Sequence, residues 1–119
     1  MKTTKDSWKS LPFPEKREPM NFVGFYTDAR GKDMLMGHKP EDMDDKWFIY
    51  SNDGWIYFLR SWTGACIYAL KLDGSPAGVR VLDSWVSREP SQYALTDLEQ
   101  DKRILSQLID CYFPETKEA

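Results

Sequence analysis

The sequence predicts an α+β domain, an antiparallel sheet of about four to six strands covered by a C-terminal helix. Three observations carry that prediction. The stretch Trp47–Leu72, WFIYSNDGWIYFLRSWTGACIYALKL, holds eight of the chain's 17 aromatic residues in short runs broken by turn residues. A further β-rich run, Gly78–Val86, follows the turn residues Asp73-Gly74-Ser75-Pro76. Beyond it, Thr96–Tyr112 carries leucine and isoleucine at helical spacing. A sheet this rich in aromatic side chains needs a cover, and that helix supplies one.

The chain's 119 residues are enough for one domain and for a real hydrophobic core. The expected organisation is an extended Pro-rich arm over 1–20, one α+β domain over 21–113 and a tail over 114–119. The arm has Pro12, Pro14 and Pro19, five Lys/Arg and few apolar residues. Trp8 and Phe13 are its two means of docking, either back on the domain or on a partner. Asn21–Tyr26, NFVGFY, predicts a strand, with Gly24 marking a bulge or a close backbone approach. Asp28–Lys39 contains Gly31 and Gly37 and is expected to be turn and loop, with Met34-Leu35-Met36 as a short strand. Lys39-Pro40-Glu41-Asp42 suits one helical turn.

The central hairpin follows. Trp47–Ser51 and Trp55–Arg60 flank Asn52-Asp53-Gly54, whose residues tolerate positive φ. On the second strand Ile56, Phe58 and Arg60 share one face, and Trp55, Tyr57 and Leu59 the other. Both faces are apolar, which predicts a central strand covered at least partly on both sides. In Ala65–Leu72, strict alternation puts Cys66, Tyr68, Leu70 and Leu72 together. In Gly78–Val86, Val79, Val81 and Trp85 alternate with Arg80, Leu82 and Val86, and Asp83-Ser84 marks a bulge or a polar spot. For the helix, Thr96 with Glu99 forms a capping box.

Several function classes are excluded. Net charge is −3, against the basic stripe that a nucleic-acid binder normally carries. No run approaches the roughly 18 apolar residues of a membrane span, and Met1–Ser10 is polar. A cytoplasmic protein is expected, with no nucleic-acid or membrane partner. Cys66 and Cys111 lack CxxC spacing and are expected to be free thiols. His38 is the only histidine, and the acidic run Glu41–Asp45 lacks a calcium-loop signature, so no metal or cofactor is expected. No serine elbow, P-loop or dinucleotide fingerprint occurs.

One residue breaks the helix pattern. Leu98, Leu105, Leu108, Ile109 and Tyr112 span roughly 100° of the helical wheel, and Asp101 falls inside that stripe. A carboxylate there must be paired. Arg60, at the end of the central strand, is the expected partner, with a backbone N–H or a hydroxyl such as Thr63 as alternatives. One reading is a buried ion pair that fixes the helix to the sheet. The other is a pocket where Arg60 holds a phosphate or carboxylate, Trp62 or Tyr57 stacks on a ring, and Asp101 accepts from a hydroxyl or acts as a base.

Four motifs carry a resemblance over about Asp45–Asp110. They are Trp47-Phe48-Ile49-Tyr50, the turn Arg60-Ser61-Trp62-Thr63-Gly64, the segment Arg88 to Tyr93, and Thr96 to Asp101. The chain resembles a small bacterial domain of poorly defined function, found alone or beside ADP-ribosylglycohydrolase-like proteins. That resemblance implies a role near ADP-ribose or NAD metabolism and supplies no catalytic residues. The resulting expectation is an accessory or ligand-binding domain for a small anionic nucleotide-like ligand, lined by Arg60, Trp62, Thr63, Arg88, Gln92 and Asp101. The alternative is an adaptor or immunity-type module that binds a protein partner or a second copy through the arm and rings such as Trp8, Phe13, Trp47, Trp55 and Trp85. Catalysis is left open.

Overall fold

The computed structural model describes residues 2–94 and 96–114. In chain order its elements are β1 (Arg17–Pro19), β2 (Phe25–Tyr26), α1 (Asp28–Met36), β3 (Trp47–Asn52), β4 (Trp55–Arg60), β5 (Cys66–Ser75), β6 (Gly78–Ser87) and α2 (Leu98–Tyr112). The six strands form one antiparallel sheet in the order β1-β6-β5-β4-β3, with β2 also on β6. The expected tail beyond Pro114 lies outside the described residues.

Turn chemistry sets the hairpin. Asp53 and Gly54 take φ of 52° and 83°, as a two-residue type I′ connection requires, and Asn52 faces Trp55. β4 is central, and its faces divide as alternation demands. Ile56 and Phe58 join Ile49, Tyr68, Leu70, Leu105 and Ile109 in the main core. Leu59 joins Phe48, Tyr50 and Cys66 in a smaller cluster on the opposite face, bordered by Tyr57 and Trp85. Full burial of a side chain such as Phe58 is worth about 1.5–3 kcal/mol.

Two bulges override strict alternation. Phe58 faces Tyr68 while Leu59 faces Cys66, so Ile67 is an extra residue. Cys66 therefore lies on the face opposite Tyr68, not beside it. On β6, Lys71 faces Asp83 while Leu72 faces Val81, which makes Leu82 extra. Val81 and Val86 consequently border the same core, and Trp85 turns to the other face.

Both helices cover the main core. In α2 the expected stripe packs inward, but the N-cap is Asp97, whose carboxylate accepts from the Glu99 and Gln100 N–H groups. The expected Thr96 capping box is replaced by this start one residue later. The segment expected to be loop is α1. Thr27 caps it, Met34 is buried, and Gly31 lets its backbone approach the Val79 side chain. The strand expected over Asn21–Tyr26 shortens to β2, since only Phe25 and Tyr26 pair with β6, while the Phe22 N–H donates to the Ser84 hydroxyl.

The arm covers the second face. Phe13 stacks on Tyr57 at 4.6 Å and meets Trp85 edge-on at 6.0 Å. Arg17–Pro19 enters the sheet as β1. Further back, Thr3 Oγ1 donates to the Ile49 carbonyl (2.6 Å), and Ile49 exchanges backbone hydrogen bonds with His38. These contacts occupy part of the free edge of β3. Of the cysteines, Cys66 is buried and Cys111 exposed, both unpaired. Among the described residues no helix is long and apolar enough to cross a membrane.

Candidate functional site

The turn after β4 is clamped from two sides. Gly64, at φ of 81°, closes it with its N–H on the Arg60 carbonyl (2.8 Å). On one side the Ser61 hydroxyl donates to the Asp45 carbonyl (2.7 Å) and the Trp62 indole N–H to the Met43 carbonyl (2.9 Å). On the other side the arm supplies donors. Trp8 Nε1 reaches the Ser61 carbonyl, Lys9 Nζ the Trp62 carbonyl and the Leu11 N–H the Gly64 carbonyl, all within 2.8–2.9 Å. So held, the turn presents Arg60, Trp62 and Thr63 to solvent, with Trp62 58 % exposed.

These three side chains edge a cleft of about 610 Å³. Its other walls are Lys46, Gln92, Tyr93, Ala94 and Ile104. This volume lies within the range of small-molecule sites. Two cations stand at the rim, each over an indole. The Arg60 guanidinium lies 5.1 Å from the Trp47 ring centre and Lys46 Nζ 4.3 Å from that of Trp62. Gln92 Oε1 is buried and has no hydrogen-bond partner among the described residues.

Behind the Tyr93 wall lies a second group. Asp101 is fully buried on the stripe of α2, facing the sheet as expected. Its partners differ from the expected ones. Oδ2 accepts from Arg88 Nη2 and Oδ1 from the Tyr93 hydroxyl, both at 2.6 Å. The Tyr93 and Tyr68 hydroxyls are 2.7 Å apart, and Arg88 Nε donates to Glu18 of β1 at 2.7 Å. Arg60 takes no part. Burial works against charge on Arg88, but hydrogen bonds and attraction from Asp101 and Glu18 outweigh it and raise its pKa. Burial and the bond given to Asp101 push the Tyr93 phenol far up, so it stays a neutral donor. Tyr68 is pushed up to about 12, chiefly by burial.

The six expected lining residues thus separate. Arg60, Trp62, Thr63 and Gln92 meet at the cleft, while Arg88 and Asp101 form the buried pair behind it. With no exposed surface and both oxygens engaged, Asp101 has no access to a ligand in the cleft. Lys46 and Ile104 were not singled out by the sequence. Tyr93 lay inside the quoted Arg88 to Tyr93 motif, and its position before the helix was the only available signal.

A third polar group braces the far side of the 60–64 turn. Asp45 is hydrogen-bonded to His38, to the Tyr112 hydroxyl (2.7 Å) and to the Glu41 N–H (3.1 Å). Burial pushes this carboxyl up, yet these partners outweigh it and hold its pKa below the usual value. Among the described residues no cluster of three His, Cys, Asp or Glu could hold a metal ion.

Comparison with protein-family models, with curated proteins and with solved structures finds no match to this chain.

Proposed function

We propose that this chain is an accessory or ligand-binding domain whose cleft beside Arg60–Gly64 takes a small anionic, ring-bearing molecule of nucleotide type. One observation carries the reading. The β4 end, the following turn, the 92–94 segment and α2 converge on a cleft that combines two cations, an exposed indole and a tyrosine. Arg60 and Lys46 suit phosphate oxygens, Arg60 through its planar fork. Trp62 offers a face to a base, and Thr63 and Gln92 offer hydrogen bonds. ADP-ribose is the named representative because of the sequence resemblance. Among the described residues no carboxylate or histidine lines the cleft, which favours binding over catalysis.

The test is a thermal-shift screen against NAD, ADP-ribose, AMP and ATP, repeated on Arg60→Ala. A ligand at 100 times its dissociation constant adds about 2.7 kcal/mol to the native state. The expected result is a shift that disappears in the folded variant. No shift with any of the four would end this reading.

The second reading, a protein-interaction module of adaptor or immunity type, is favoured by a different patch. Val23 (92 % exposed), Phe25 and Leu82 present apolar side chains near the β2–β6 pairing. Light scattering would test it, because self-association that Phe25→Ser abolishes is its expected mark.

A further inference from the structure

The arm and the β3–β4 hairpin enclose a second cavity of about 600 Å³, which shares no lining residue with the Arg60 cleft. Tyr50 and Tyr57 form its aromatic wall, with ring centres 5.2 Å apart. Lys2 and Lys5 of the arm also line it, with one carboxylate, Asp6.

Two phenol hydroxyls at this cavity are left unengaged by the described residues. The hydroxyls of Tyr68, Tyr93 and Tyr112 each have a partner. Those of Tyr50 and Tyr57 have no protein partner among the described residues, and neither oxygen is sealed from solvent. Burial raises both phenols, so each is neutral and able to donate. Two donors, two ammonium groups and an aromatic wall match one ligand chemistry.

We propose that this groove binds a small aromatic carboxylate. Its ring packs against Tyr50 and Tyr57, and its carboxylate accepts from the phenols and faces Lys2 and Lys5. Such a ligand bridges the arm and the hairpin and ties them together. The proposal is independent of the Arg60 cleft, since a ligand there touches neither tyrosine.

The test is a two-dimensional amide NMR titration of the full chain with benzoate and 4-hydroxybenzoate, with benzyl alcohol as the uncharged counterpart. Saturable shifts confined to Thr4–Phe13 and Tyr50–Tyr57, weaker for benzyl alcohol, are expected. The double variant Lys2→Ala/Lys5→Ala should weaken the carboxylates by about two- to tenfold, the range of exposed ion pairs. Tyr50→Phe/Tyr57→Phe keeps the rings and should weaken them by a similar factor. If that variant loses its fold, the lysine variant decides, because both lysines are exposed. The proposal is overturned by no saturable shift at these residues, by shifts at Arg60–Thr63 alone, or by equal affinity for the alcohol and the acids.

Discussion

Two arginines lie on either side of Tyr93, and the chain treats them in opposite ways. Arg88 is largely buried, bonded to Asp101 and Glu18, and part of a network that runs through Tyr93 to Tyr68. Arg60 is exposed, rests on an indole face and has no carboxylate among its described partners. Residue type is the same in the two places. What differs is whether the protein itself completes the hydrogen bonding. A network completed by the fold holds α2 on the sheet, and a cation left at the rim of a cleft is available to something else. Desolvation separates the two roles, because a buried charge without its partner is far more costly than an exposed one.

Breaking the buried side should have the largest effect. Asp101→Ala leaves Arg88 and the Tyr93 hydroxyl without their shared acceptor. The expected loss is about 3–5 kcal/mol, the range for a broken buried pair, read by urea denaturation. A loss below about 1 kcal/mol would mean that the network carries little of the helix docking. Tyr93→Phe is milder, because Arg88 still pairs with Asp101. It should lose about 1–3 kcal/mol for the acceptor left partly unsatisfied.

These expectations rest on contacts that sequence reasoning reached only in part. Asp101 on the apolar stripe announced a buried partner, and the helical wheel alone places it facing the sheet. That the partner is Arg88 depends on the path of 88–93, and that Glu18 joins it depends on β1 pairing with β6. Neither is a local property. The first hairpin was legible because Asn52-Asp53-Gly54 decides its turn within three residues. Cys66 was misplaced because the bulge at Ile67 is created by pairing with β4, which no alternation rule contains. Helix α1 was missed because Gly31 looks like a breaker. In the fold that glycine buys close packing on Val79. Arg60, Trp62 and Thr63 lie together at the cleft because one tight turn carries all three.

Asp45 occupies an intermediate place between the two regions, partly buried beneath the turn that carries the cleft. Its carboxyl titrates below its ordinary value of 3.8. The stabilisation is therefore fully present above that value and is lost as pH falls through the lower folded pKa. The difference in unfolding free energy between the wild type and Asp45→Asn should shrink as pH is lowered from 5 towards 2. A difference that stays constant over this range would show that the charge on Asp45 contributes nothing.

The smallest stability change belongs to the exposed side. Arg60→Ala removes a cation–π contact at the surface and should lose less than about 1 kcal/mol. Its effect on binding should nevertheless be the greatest of any single change, which sharpens the contrast with Asp101.

The most direct measurement is calorimetric titration of ADP-ribose and AMP into the wild type, Arg60→Ala and Tyr93→Phe. The expected result is binding to the wild type, its loss in a stably folded Arg60→Ala, and its survival in the less stable Tyr93→Phe. Undiminished binding in Arg60→Ala, or no binding to the wild type, would contradict the assignment of the cleft.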